Sequence, residues 1–236
     1  PAHVLPDVQP GNLNVAAAEI ARAPKPTARE ISDTQAVARV AALYQQLKPA
    51  AIAVCRYVGE HSCKLELTYS PEDKINAYAA DESTVVIYKG IVQYARSDAE
   101  IAMVIAHEMA HHIANHISES QSSQVVGALI GGVAMALLLG DAAAYSWQII
   151  SDGMRIGAAA GVLTFSRKQE MEADYLAAYI ISGAGFNLDD ARGMLVKLGR
   201  LGGRTASSVL DTHPAGPERV AAWDLAAREI RSGPAG

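Results

Sequence analysis

Charge, aromatic rings and a basic excess are what this 236-residue sequence has little of. Charged residues are 19% of the chain, below the usual share of about 25%, while half of it is hydrophobic. That balance excludes a disordered polypeptide, which needs low hydrophobicity and high charge. Lys and Arg number 20 against 25 Asp and Glu, a net charge of -5. No basic surplus is left to neutralise phosphates, so no nucleic-acid partner is expected. Aromatics are 6% and roughly one residue in five is Ala, so the core must be aliphatic, which favours closely packed helices. Two cysteines exclude a disulfide-rich scaffold and allow one internal bridge. Cys55 and Cys63 flank a turn-like stretch, Gly59 to Ser62. Two short strands around it would bring the sulfurs within reach, so a bridge and an oxidising compartment are expected. The chain starts at Pro1 rather than Met, which fits a mature or trimmed form whose signal segment has been removed.

What is present falls into segments. Residues 1–27 carry five prolines without helical period and read as an extended N-terminal arm. Residues 28–236 read as a single domain. Ile31, Val37, Val40, Leu43 and Leu47 recur at helical spacing, with Lys48-Pro49 as a stop or kink. Leu65, Leu67 and Tyr69 alternate with Glu66 and Thr68 as in a half-buried strand. Residues 76–79 and 84–88 read as two more strands, so a small antiparallel sheet precedes a mainly helical remainder, an α+β fold. A helix begins at Gly90, and Asp98 caps another running to about His116. Residues 125–140 hold no charge, and the apolar run reaches Ile150 if Asp141 is tolerated. A spanning helix needs about 20 apolar residues, so this stretch reads as a buried or membrane-apposed helix, with a membrane span as the alternative. Further helices are expected near 153–165, 167–182, 188–200 and 216–231, with Gly183, Gly185 and Gly199 as C-terminal stops.

The strongest signal is His107-Glu108-Met109-Ala110-His111. Residues four apart share a helix face, so both imidazoles can reach one ion, and Glu108 beside the first can take a proton from water. This is the HExxH arrangement of zinc peptidases. A metzincin would need Gly and His where Ala114 and Ile117 stand. His112 and His116 are out of register with the ligand face, and His116 reads as a helix-end residue favoured by the dipole. The third ligand is sought further on, in Glu170-Met171-Glu172-Ala173-Asp174. Glu170 and Asp174 lie four apart on one face, Glu170 as ligand and Asp174 as acceptor for the free ring N–H of a ligand His. Glu172 projects about 200° from Glu170 and takes no ligand role.

HExxH followed by ExxxD, the latter preceded by Ser166-Arg167, resembles the gluzincin zinc metallopeptidases of the HtpX-type and CAAX prenyl endopeptidase family. Asn76-Ala77-Tyr78-Ala79 before residues 84–90, and Thr212-His213-Pro214 with Arg219, resemble two further family elements, in the family's order. The long N-terminal membrane helices of HtpX are missing, which places the likeness with the soluble periplasmic, BepA- or LoiP-like members. The resemblance implies one Zn²⁺ on His107, His111 and Glu170, and hydrolysis of peptide bonds by a metal-activated water with Glu108 as general base. It points to His213 as a catalytic donor to the oxyanion, or alternatively as a cap on the zinc. Arg219 supports that loop or pairs with an acidic neighbour such as Asp174. It also implies that Val85, Val86, Ile87 and Tyr88 form an exposed edge strand that binds extended peptide by strand addition, although Val85 and Ile87 taken singly read as core. Unfolded or misassembled proteins of the bacterial envelope are the implied substrates. The chain would then be periplasmic or outer-membrane-associated, with membrane contact through an N-terminal anchor or residues 125–150. A second reading is a largely latent, self-capped protease acting as a chaperone-like assembly factor.

Overall fold

A computed structural model describes residues 5–58, 63–80, 83–120, 165–202, 213 and 215–233. The uncharged run 125–140 and the helix expected near 153–165 lie outside them, apart from Phe165. Among the described residues, no helix is long and apolar enough to cross a membrane.

The described chain is mostly helical with one small sheet, an α+β architecture. Helix α1 spans Pro10–Arg22. The extended arm expected for residues 1–27 is therefore helical over this stretch. Proline is tolerated in a first turn, where the missing N–H would have no partner anyway. Leu13, Ala16 and Ile20 then align as one apolar face against the core. That face packs on two C-terminal helices, α6 (Leu188–Leu201) and α7 (Pro217–Ser232). Gly199 lies inside α6 instead of ending it, because a Cβ there would come within 2.8 Å of Ile20 Cδ1. Arg192 of α6 holds Glu19 with both terminal nitrogens at 2.6 Å and also pairs with Asp224 of α7.

Helix α2 (Asp33–Val58) starts behind a Ser32 cap, whose hydroxyl accepts from Gln35 N–H at 3.2 Å. It passes through Pro49 without stopping. Proline inside a helix costs about 3 kcal/mol, and here burial of Leu47, Ala51 and Cys55 on the far side offsets it. Cys55, in the last turn of α2, is disulfide-bonded to Cys63. The expected bridge is present, but it staples a helix end and not two strands.

Strands β1 (Glu66–Ser70), β2 (Ala77–Ala80) and β3 (Thr84–Tyr88) form a sheet of order β1-β3-β2. β3 pairs antiparallel with β2 and parallel with β1. The sheet is therefore mixed, not antiparallel as expected. β3 turns back after β2 and inserts between the two, which makes its direction that of β1. Val85, Val86 and Ile87 are all buried, so the most apolar strand takes the centre. This corrects the assignment of Val85–Tyr88 as an exposed edge, since β3 spends its backbone on both neighbours. Short α3 (Lys89–Tyr94) follows directly.

Helix α4 (Asp98–Ile113) carries the HExxH segment and is buried on nearly every side. Its cap is Ser97, whose hydroxyl accepts from Glu100 N–H, one residue before the expected Asp98. α4 packs against α2, α6, β2 and α5 (Arg167–Gly183). These neighbours enclose α4 on nearly every side, buried polar residues included, and this enclosure fixes the site. α5 opens with a capping box in which Ser166 and Gln169 exchange bonds.

Candidate metal centre

On helix α4, His107, Glu108 and His111 are all 3% exposed or less, and the two rings face α5. One turn into α5, Glu170 and Asp174 face them from a stripe that includes Ala173 and Ala177, both fully buried. These small side chains let the two helices approach closely enough for short carboxylates to reach the rings. His213 enters from the other side, ahead of α7, which supplies Arg219.

The polar atoms converge. His107 Nε2 lies 3.0 Å from His111 Nε2 and 3.2 Å from His213 Nδ1. Glu170 Oε1 is 2.9 Å from His213 Nδ1 and 3.4 Å from His111 Nε2, and its Oε2 is 3.5 Å from His107 Nε2. One ligand atom from each of His107, His111, Glu170 and His213 falls within 4.8 Å of the others. On the outer side, His107 Nδ1 is 2.9 Å from Asp174 Oδ1. Arg219 donates to both Asp174 oxygens at 2.7 Å and places Nη1 2.6 Å from Glu170 Oε2. Phe165 stacks on the His111 ring with centroids 3.9 Å apart.

This donor set fits a cation. With its proton directed at Asp174, His107 turns a lone pair inward, where His111 Nε2 and Glu170 already concentrate electron density. Burial and Arg219 oppose charge on His107, but Glu170 and Asp174 outweigh them and raise it to about 9. Burial pushes His111 well below its ordinary value. Glu170 is held well below the carboxylate range, because Arg219, His213 and His107 override the cost of its burial. Positive charge is therefore favoured at the centre of the cluster, and either a proton or a metal ion meets that need. Two or three imidazoles with one carboxylate form a nitrogen and oxygen set suited to zinc. Among the described residues, the buried Glu108 oxygens and His213 Nε2 have no hydrogen-bond partner, although His213 Nε2 comes within 3.5 Å of Glu108 Oε1. A carboxylate buried beside the cluster is placed to receive a proton.

His107, Glu108, His111, Glu170, Asp174, His213 and Arg219 thus meet in one place, and Glu172 lies outside the metal-capable group. The strand Val85–Tyr88 does not present a free edge. Sequence reasoning missed two contacts, the stacking of Phe165 and the approach of His116 Nδ1 to within 3.0 Å of His111 Nδ1. Neither has a spacing signal, because both depend on how the chain leaves α4 and enters α5. His112, also out of register, sits with Nε2 3.0 Å from the Thr84 carbonyl and ties α4 to β3.

Comparison with known proteins points the same way. Residues 39–226 match the model of peptidase family M48. The chain is 32% identical over 148 residues to the mitochondrial metalloendopeptidase OMA1 of Arabidopsis thaliana, covering 63% of this chain and 28% of that protein. It is 27% identical over 164 residues to the beta-barrel assembly-enhancing protease of Escherichia coli K12, covering 67% and 34%. A putative beta-barrel assembly-enhancing protease of Vibrio cholerae is 33% identical over 153 residues, 62% and 31%. The matches span about a third of the length of these curated relatives.

Proposed function

The chain belongs to peptidase family M48, and from that premise we propose that it is a zinc-dependent endopeptidase. The observation that carries the reading is the buried convergence of His107, His111 and Glu170 beside the fully buried carboxylate of Glu108, which has no hydrogen-bond partner among the described residues. The three would hold one Zn²⁺. When bound, zinc polarises a carbonyl and lowers the pKa of water to about 7. Glu108 takes the proton of the attacking water on a carboxylate oxygen and passes it to the leaving amine. Asp174 accepts the Nδ1 proton of His107, which keeps Nε2 free for the metal. Arg219 braces Asp174 and Glu170 together. Casein cleavage tests this: a chelator should reduce it to background, and one equivalent of zinc should restore it. Undiminished cleavage by a chain shown to be metal-free would refute the assignment.

Substrate binding by strand addition passes from β3 to β2. Residues 77–80 pair on one side with β3, and β2 packs on α4, the helix that carries HExxH. Recognition through backbone groups is largely independent of side chains and selects extended segments. Unfolded or misassembled proteins fit that selection. The Cys55–Cys63 bridge favours an oxidising compartment such as the periplasm, and two of the relatives are named for assembly of β-barrels.

One observation favours a latent form. His213 Nδ1 sits among the ligand atoms, 2.9 Å from Glu170 and 3.2 Å from His107. In this place it would serve as a fourth ligand to a bound metal and shut substrate out. His213→Ala is expected to raise the rate of casein cleavage severalfold, as removing a capped population raises the competent fraction. A fall in turnover would assign His213 to the oxyanion instead.

A further inference from the structure

We propose that His116 is a positioning residue for the metal site: it accepts the Nδ1 proton of His111 and so holds that ring with Nε2 turned inward. The inference rests on the reading of His111 as a ligand and extends it one residue outward.

His116 is 1% exposed, and a buried ring costs free energy unless its nitrogens find partners. Its Nδ1 lies 3.0 Å from His111 Nδ1, and its Nε2 lies 3.5 Å from Glu172 Oε2. Two facing Nδ1 atoms need one proton between them. His111 turns Nε2 towards His107 and Glu170, so as a neutral ligand it carries its proton on Nδ1. That N–H donates to His116 Nδ1, which leaves the proton of His116 on Nε2, directed at Glu172. Each tautomer follows from the one before it. Phe165, stacked on His111 and 6.3 Å from the His116 ring, resists rotation of the pair.

Helix continuation cannot produce this contact. Five residues of α-helix turn through about 500°, which leaves position 116 roughly 140° away from position 111. α4 instead ends at Ile113, and Asn115 takes φ 59°, the one left-handed non-glycine among the described residues. Asn is among the residue types that tolerate this region, yet it remains a costly conformation. Residues 116–120 are helical again beyond the turn. The strained residue is thus the one that re-aims His116 over His111. The two ligand rings are held differently, His107 by the Asp174–Arg219 ion pair and His111 by a second imidazole.

The test uses the full chain and reads zinc affinity by chelator competition, with ring ¹⁵N shifts reporting the His111 tautomer. His116→Leu should weaken zinc binding about 10–100-fold and release the tautomer preference of His111. His116→Gln, whose amide oxygen can accept the same proton, should recover most of the affinity. Asn115→Gly, which suits the turn, should leave it intact. Unchanged affinity and tautomer in His116→Leu, or a His116→Gln protein that folds yet binds no better than His116→Leu, would overturn the assignment. If His116→Leu does not fold, a wild-type His111 lacking the Nδ1 proton in the zinc-loaded chain would overturn it. A wild-type chain that binds no zinc would instead refute the metal site, and this assignment with it.

Discussion

Replacing Glu108 with Gln is expected to lower casein cleavage by about 10²–10⁴-fold, the usual contribution of a general acid–base group, with zinc content unchanged. Glu108 is fully buried on α4, directly after His107, and among the described residues neither oxygen has a hydrogen-bond donor. Gln keeps the volume, so packing against α5 and the positions of His107 and His111 should persist. It cannot take a proton from water at the working pH. The pair of measurements, turnover and metal per chain, separates lost chemistry from a lost site. Cleavage within a few-fold of wild type would remove Glu108 from the mechanism.

The largest effect on stability is expected from Arg219→Leu. Arg219 is 4% exposed and holds two buried carboxylates at once, Asp174 through both oxygens and Glu170 through Oε2. Deleting one partner of a buried ion pair costs roughly 3–5 kcal/mol, since the remaining charge is left uncompensated. For a chain of this size each kcal/mol is worth about 2–4 °C, so the zinc-free protein should melt about 6–20 °C lower. Added zinc should recover more stability in the variant than in the wild type, because the cation restores positive charge beside Glu170. Lys should not substitute, lacking the planar fork that spans both acids. Thermal unfolding of the zinc-free chain with a melting point equal to wild type would show that Arg219 is not the brace.

How much was legible depended on the range of the interaction. His107 and His111 announce themselves by local spacing, and Glu170 and Asp174 do the same on their own helix once HExxH calls for a partner. The helices at 167–183, 188–201 and 217–232 carry their caps and faces in their own residues, so their extents lie within two residues of expectation. Pro49 misleads because the core on both sides of it outweighs the lost hydrogen bond. Residues 10–22 mislead because their apolar face has a purpose only once Gly199 has made room for Ile20. The order β1-β3-β2 was hidden because alternation reports a strand and its faces, not its neighbours. His116 was read as a helix end, and one left-handed residue before it gave it a different partner.

The grip of Arg192 on Glu19 bears on the order in which the molecule assembles. The two residues stand 173 positions apart, and Asp224, the third member, comes later still. Closing so long a loop costs entropy before any contact repays it, and contacts of such separation slow folding. α1 leaves the ribosome before α6 and α7, and the surface it docks on does not exist until they do. The earliest of the described helices to be made is thus the latest of them to find its place, a clasp fastened over a body already built.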